Sequence, residues 1–260
     1  VKLLLNNGDV RFFNGIVQAF TQGHSTPDFT NYRAIIKPWL WLLTQTRDIR
    51  IFQDMTIPEI ITAVFQEYDP AIARFDDRLH KTYIKREYCV QYRETDFNFV
   101  SRLMEQEGIF YFFNHDEAGH TLVFADSPVE FKPCLLQPSV SYKTITGPGD
   151  GDVLNKWEIE QQVRPGRYMI NDWDFKQPSM DLTVNVMGKD EQLLEIYDYP
   201  GEYESREEGE SLVGIRMEEE ETPREVIKAE SFIKGLQPGR RFSLTDHYRR
   251  DQNREYVVTT

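Results

Sequence analysis

The sequence predicts a β-rich α+β protein in two parts, and three observations carry that prediction. Short stretches of alternating apolar and polar residues recur along the chain. One strongly patterned, capped helix stands at residues 56–68. A run holding three Gly, one Pro and two Asp, "TGPGDGD" at 146–152, separates two strand-rich halves. With 260 residues the chain is long enough for one large or two ordinary domains with real cores.

The elements follow in order. "VKLLL", the turn "NNGD" and "VRFF" read as a hairpin, because Asn7-Gly8 supplies the left-handed backbone that tight hairpins need, and "GIVQAF" follows as a third strand. "HSTPDFTNY" reads as loop. "YRAIIKPWLWLLT" is strand-like and aromatic, with Pro38 forcing an edge or a bulge, and "PWLWLL" with Trp39 and Trp41 is the richest apolar patch. In "TIPEIITAVFQEY" Thr56 and Glu59 form a capping box, and Pro58 falls in the first turn, where its missing N–H is not needed. Ile57, Ile60, Ile61, Val64, Phe65 and Tyr68 then line one buried face, and Asp69-Pro70 ends the helix.

The stretch "YCVQYRETDFNFVSRLMEQEGIFYFF" (88–113) predicts a strand, a helix and a strand. Tyr88, Val90 and Tyr92 alternate with Cys89, Gln91 and Arg93. Thr95 and Asp96 offer a helix start, Phe99, Val100, Leu103 and Met104 recur at helical spacing, and Gly108 suits a left-handed helix end. "IFYFF" has the make-up of a strand buried on both faces, and "TLVFAD" returns as its partner across the turn "NHDEAGH". "SPVEFKP" and "QPSVSY" are Pro-rich connections leading to the linker at 146–152, where a domain boundary is placed.

Beyond the linker the chain turns mostly β, through "VLNKWEIEQQVRPGRYMINDWDF", "LTVNVMG" and "LLEIYDY". Residues 204–221 read as an exposed acidic helix with an apolar stripe of Leu212, Ile215 and Met217, and Glu218–Glu221 as its solvated end. "EVIKAESF", "RRFSLTD" and "REYVVTT" complete a set of short strands suited to a small barrel. Both ends of the chain are strand-like, which predicts a piece of a longer polypeptide.

Composition narrows the function classes. The net charge of -13 argues against phosphate-backbone binding, which needs clustered Lys and Arg, and against docking on anionic lipid. Cys89 and Cys134 are too few and too far apart for a metal site or a disulfide framework, which leaves one bridge between them or, the commoner case, two free buried thiols. No catalytic motif emerges. "GHSTP" at 23–27 lacks the second Gly of a nucleophile elbow, and "GPGDGD" lacks the Lys and Ser/Thr of a phosphate loop. His115 and His120 flank a turn with Asp116 and Glu117 between them, a spacing more common on plain surface than in a metal site. The residue pattern assigns no catalytic, cofactor-binding or metal-ligating residue.

"YRAIIKPWLWLLTQTRDIRIFQD", "VQYRETDFNFVSRLMEQEGIFYFF", "GHTLVFADS", "VRPGRY", "YDYP" and "LTDHYRRDQNREYVVT" together resemble the VgrG family, the spike proteins of bacterial type VI secretion, through essentially the whole chain. The resemblance implies a fold like the hub of contractile phage tails: two related β-barrel domains with α/β and helical insertions, here a first barrel plus α/β part at 1–146 and a second barrel with the acidic helix at 147–260. It implies β-structure before Val1, and an oligonucleotide-binding-type domain and a β-needle after the hub. It implies a homotrimer that caps a hexameric, Hcp-like tube, touches baseplate components and receives effectors through its C-terminal parts. It also implies assembly in the bacterial cytoplasm, delivery to a target cell, no cofactor and no enzymatic residue in the hub itself. Arg93, Asp96 and Arg102 become candidates for polar links that fix the α/β unit, within a chain or across chains, and Trp39 and Trp41 for structural anchors. A hub protein of a contractile phage or prophage tail is the near alternative. An acid/base hydrolase using carboxylates around the linker is the distant one.

Overall fold

The computed structural model describes residues 1–144, 151–189 and 193–260, so residues 146–150 of the expected linker lie outside the described residues. The chain divides into two units, residues 1–141 together with 233–260, and residues 142–232.

The first unit opens with the expected hairpin, β1 (Lys2–Leu4) against β2 (Val10–Phe12). The Leu5 N–H donates to Asp9 O at 2.9 Å, and Gly8 takes φ +89°, a conformation costly for a residue with a Cβ. A long two-stranded ribbon follows, β3 (Ile16–Ser25) and β4 (Thr30–Lys37). The loop expected over 24–32 shrinks to a tight turn, in which Thr26 Oγ1 accepts from the Phe29 N–H at 3.1 Å.

"PWLWLL" is not a strand. Pro38 ends β4, and Trp39–Thr44 wind into a 3-10 turn. The turn brings Trp39, Leu40 and Leu43 inward together, whereas a strand would have sent alternate residues out to solvent.

β5 (Arg47–Met55) leads into α1 (Ile57–Phe65), whose capping box forms as the sequence predicts: Glu59 N–H donates to Thr56 Oγ1, and Thr56 N–H donates to Glu59 Oε2 at 2.7 Å. All the predicted apolar positions from Ile57 to Phe65 are buried, and Tyr68 is half-buried beyond the helix end. After β6 (Phe75–Arg78), β7 (Arg86–Thr95) pairs antiparallel with β5. α2 (Asp96–Glu107) is capped by Thr95, which accepts from the Asn98 N–H at 3.1 Å, and ends on Gly108 at φ +68°. Trp39, Phe65, Phe75, Phe99 and Phe124 meet in one core, with Trp39 edge-on to Phe65 at 5.1 Å.

The alternation in β7 leaves its buried face open: it is Cys89 and Gln91 that point inward, while Tyr88 and Tyr92 are 56% and 62% exposed. One expectation about faces is corrected. The strand burying residues on both faces is β9 (His120–Ala125), central in the order β6-β9-β8, and not β8 (Phe110–His115), which sits at the edge with Tyr111 exposed. β10 (Ser139–Tyr142) closes this stretch.

In the second unit β11 (Val153–Gln161) carries the expected alternation. β12 (Arg167–Ile170) lies between β13 (Val184–Met187), antiparallel, and β14 (Glu195–Asp198), parallel. α3 (Arg206–Glu221) starts on a second capping box, Ser205 with Glu208. Its buried stripe is Gly209, Val213 and Met217 at i, i+4 and i+8; of the stripe read from Leu212, Ile215 and Met217, Met217 is buried and Leu212 packs against the core from the side, while Ile215 is only partly buried. Gly209 sets this phase, because a Cβ there would stand 2.5 Å from the Tyr203 ring. The acidic end is only partly solvated: Glu220 pairs with Arg164 at 2.6 Å, and Glu221 accepts from the Lys189 N–H at 3.1 Å. β15 (Glu225–Ser231) pairs antiparallel with β11.

The last strands, β16 (Arg241–Thr245) and β17 (Glu255–Val257), return to the first unit, although the local pattern groups them with the second. The reason is a pairing invisible to local pattern: β16 runs parallel to β10, Ser139 opposite Ser243, and the Cys134 N–H donates to Arg241 O at 2.7 Å.

Candidate functional site

Among the residues singled out from sequence, Asp96 becomes the centre of a polar cluster. It is the first residue of α2, where a negative charge is favoured by the helix dipole, and it is buried. One carboxylate oxygen accepts from Arg50 Nη2 and Gln91 Nε2, both at 2.8 Å. The other accepts from Thr46 Oγ1 at 2.8 Å and Tyr68 Oη at 2.9 Å. Arg50 also donates from Nε to Gln91 Oε1 at 2.8 Å and pairs with Glu67. Burial alone would raise the Asp96 pKa. The hydrogen bonds from Gln91, Thr46 and Tyr68, with the charge of Arg50, outweigh it and hold the carboxyl below the ordinary range. Burial, assisted by Asp96, pushes the Tyr68 phenol up to about 12.

The cluster ties the segment after the 3-10 turn, β5, the end of α1, β7 and the start of α2 at one point. A general base needs a lone pair free to meet a substrate proton, and the Asp96 oxygens are taken by structural donors. The arrangement works as a clamp. It also accounts for the buried face of β7, because Gln91 must point inward to reach Asp96.

Arg102 forms a separate link. It grips Glu94 through Nε at 3.0 Å and Nη2 at 2.8 Å, donates to Val90 O at 2.7 Å and lies over the Phe99 ring. Arg93 joins neither. It is exposed and takes φ +53°, with the β5–β7 register slipping between Asp48 and Ile49, so it is the extra residue of a bulge, its guanidinium 5.3 Å from the Tyr92 ring. Trp39 is anchored by both its nitrogens: the backbone N–H donates to His120 Nε2 at 2.9 Å, and the indole Nε1 donates to Arg74 O at 3.0 Å. Trp41 is half-buried on the same turn.

Sequence reasoning missed Arg50, Gln91, Thr46 and Tyr68, whose convergence depends on packing. It also missed a second clamp, Asp126, which accepts from the backbone N–H groups of His80 at 2.9 Å and Lys81 at 2.8 Å and from Tyr83 Oη at 2.9 Å. The cysteines are free and buried. Among the described residues no group of three His, Cys, Asp or Glu is placed to hold a metal ion, and no helix is long and apolar enough to cross a membrane.

The surface is more telling than any cleft. The β3–β4 ribbon leaves almost every residue exposed, including Phe20 at 65% and Tyr32 at 60%, whose rings stack at 5.5 Å. On the β5–β7 pair, Ile49 lies opposite Tyr92 and Ile51 opposite Val90, an apolar row that faces out. Monomeric surfaces seldom carry such contiguous apolar faces unless something covers them.

Residues 1–260 match the family described as phage tail baseplate hub (GPD). Two type VI secretion system spike proteins of Pseudomonas aeruginosa, VgrG1c and VgrG1b, are each 40% identical over 98% of this chain. The chain spans 36% and 35% of their lengths. A solved structure of the E. coli c3393 protein, described as a component of the type VI secretion system with structural similarity to the T4 bacteriophage tail proteins gp27 and gp5, superposes with a TM-score of 0.69 at 19% identity. That superposition covers 99% of this chain and 57% of the other. A β-rich α+β fold of tail-hub type, matched from first residue to last, places the chain in the phage tail baseplate hub (GPD) family, as the hub region that VgrG spike proteins share.

Proposed function

We propose that this region is the structural hub of a type VI secretion spike. The observation that carries the reading is the 40% identity to VgrG spike proteins across 98% of the chain. The hub works by shape and assembly and has no chemical step. Three copies close around an axis, and two barrel-like units per chain give the ring a six-part face for a hexameric tube. The spike assembles in the cytoplasm and leaves with the puncturing parts that the rest of the longer protein supplies.

The surface supports this. A chain with net charge -13 triples its charge on trimerising, so apolar burial must overcome the repulsion. The exposed β3–β4 ribbon and the Ile49–Tyr92 row hold the aromatic and aliphatic side chains that such burial needs. The family description itself names phage tails, and a prophage tail hub is the second reading; identity to secretion spikes favours the first.

Sedimentation of the full-length protein over a concentration series tests the proposal. A trimer is expected, and a stable dimer or a persistent monomer overturns it. Tyr92→Asp on the outward row should weaken the trimer while leaving the far-UV spectrum unchanged.

A further inference from the structure

His120 is buried and His115 is half-buried beside it. They face each other across the β8–β9 pair, their rings 5.7 Å apart and stacked at 27°, and His120 is 7% exposed. Each ring spends a lone pair on the backbone of a distant segment. His115 Nδ1 accepts from the Asn14 N–H at 3.1 Å, just after β2, and His120 Nε2 accepts from the Trp39 N–H at 2.9 Å, at the head of the 3-10 turn. An imidazole nitrogen accepts only while it is unprotonated, so both bonds require the neutral ring with its proton on the other nitrogen.

The charged groups around the pair are Arg11 from β2, Arg74 ahead of β6, and Asp116 on the turn of the same hairpin. Asp116 alone favours a proton on the pair, and it is shared with Arg74 at 3.7 Å. Asn14 is held to the turn as well, its side-chain amide donating to Asp116 O at 2.7 Å.

We propose that His115 and His120 form an acid-sensitive latch, which when neutral clamps Asn14 and Trp39 to the β8–β9 hairpin and when protonated releases them. Protonation replaces an acceptor by a donor, so two N–H groups point at each other and the backbone N–H loses its partner. Burial first, then Arg11, lowers the His115 pKa; burial first, then the neighbouring imidazole and Arg74, lowers that of His120. The sign follows. With folded values below the unfolded 6.5, the contribution is complete above about pH 6.5 and is lost as pH falls below it. The latch is independent of the hub reading, since it concerns one edge of the first unit in any assembly.

The test is amide hydrogen exchange of the full-length protein at about pH 7.5 and about pH 5.5, corrected for the intrinsic pH dependence of exchange. Peptides carrying Asn14 and Trp39 should open on the order of tenfold more at the lower pH, while amides of Ile60–Phe65 hold. His115→Asn with His120→Gln keeps an acceptor oxygen near each nitrogen but cannot take the proton, so the acid response should vanish. Exchange at the imidazole C2 positions of the unaltered protein titrates both rings directly, and decides the matter if the double variant does not fold. Both midpoints are expected below 6.5. No acid response in the unaltered protein, an equal response in the double variant, or either midpoint at or above 6.5 overturns the latch.

Discussion

The two helices with complete capping boxes make an instructive pair. α1 has 9 residues and α3 has 16, yet the shorter one is the deeper. α1 buries Ile57, Ile60, Ile61, Val64 and Phe65 against the aromatic core, whereas α3 buries only Gly209, Val213 and Met217 and turns a mostly charged surface outward. Their caps are nearly the same: a hydroxyl residue accepts from the N3 backbone, and a Glu at N3 answers to the cap N–H. Length and capping therefore do not set what a helix contributes here; the width of its apolar face does.

The largest expected effect lies in α1. Phe65→Ala should cost about 3–5 kcal/mol in urea unfolding, since the ring contacts Trp39, Phe75 and Phe124 and a cavity would remain. Val213→Ala in α3 should cost about 1–3 kcal/mol. If the two losses are equal, the comparison fails.

Asp96→Ala should approach the cost of Phe65→Ala, about 3–5 kcal/mol, because it leaves Arg50, which is mostly buried, without its main partner. Asp96→Asn sharpens the point through pH. A carboxyl whose folded pKa is depressed stabilises above its unfolded value near 3.9 and stops doing so as pH falls through the folded one. The variant should therefore show a flatter acid limb than the parent below about pH 4, and parallel limbs would remove Asp96 from the clamp.

Thr56→Ala and Ser205→Ala should each cost about 1 kcal/mol, the matched pair in which the two helices behave alike. A large gap between them would mean that capping, too, depends on the core behind the helix. The smallest effect belongs to Arg206→Ala on the exposed side of α3. Its pair with Glu210 is open to solvent on both sides, and unfolding should move by no more than about 0.5 kcal/mol.

What the sequence disclosed follows the same division. α1, its cap, the αL end of α2 at Gly108 and the first hairpin were legible because each is written in neighbouring residues. The phase of β7 was not: alternation allows two faces, and the choice fell to Gln91 reaching Asp96. "PWLWLL" misled because β-propensity cannot see that the Trp39 N–H has a side-chain acceptor, His120 Nε2, waiting on β9. Asp96 and Arg102 were found at a helix start and on a helix face. Arg50, Thr46 and Tyr68, spread over other segments, carried no local mark. Arg93 was noticed for its charge, but its place is decided by a bulge.

The return of residues 233–260 to the first unit bears on how the chain comes off the ribosome. The parallel pairing of β10 with β16 joins residues about a hundred positions apart, so the first unit stays unfinished until the end of this stretch has been synthesised. Everything between is, from the first unit's side, one closed loop. The entropy of closing a loop grows only logarithmically, and doubling its length costs about 0.6 kcal/mol. Insertions within residues 142–232 should thus burden the completion of the first unit very little, which leaves that segment free to vary in size while the clamp around Asp96 stays as it is.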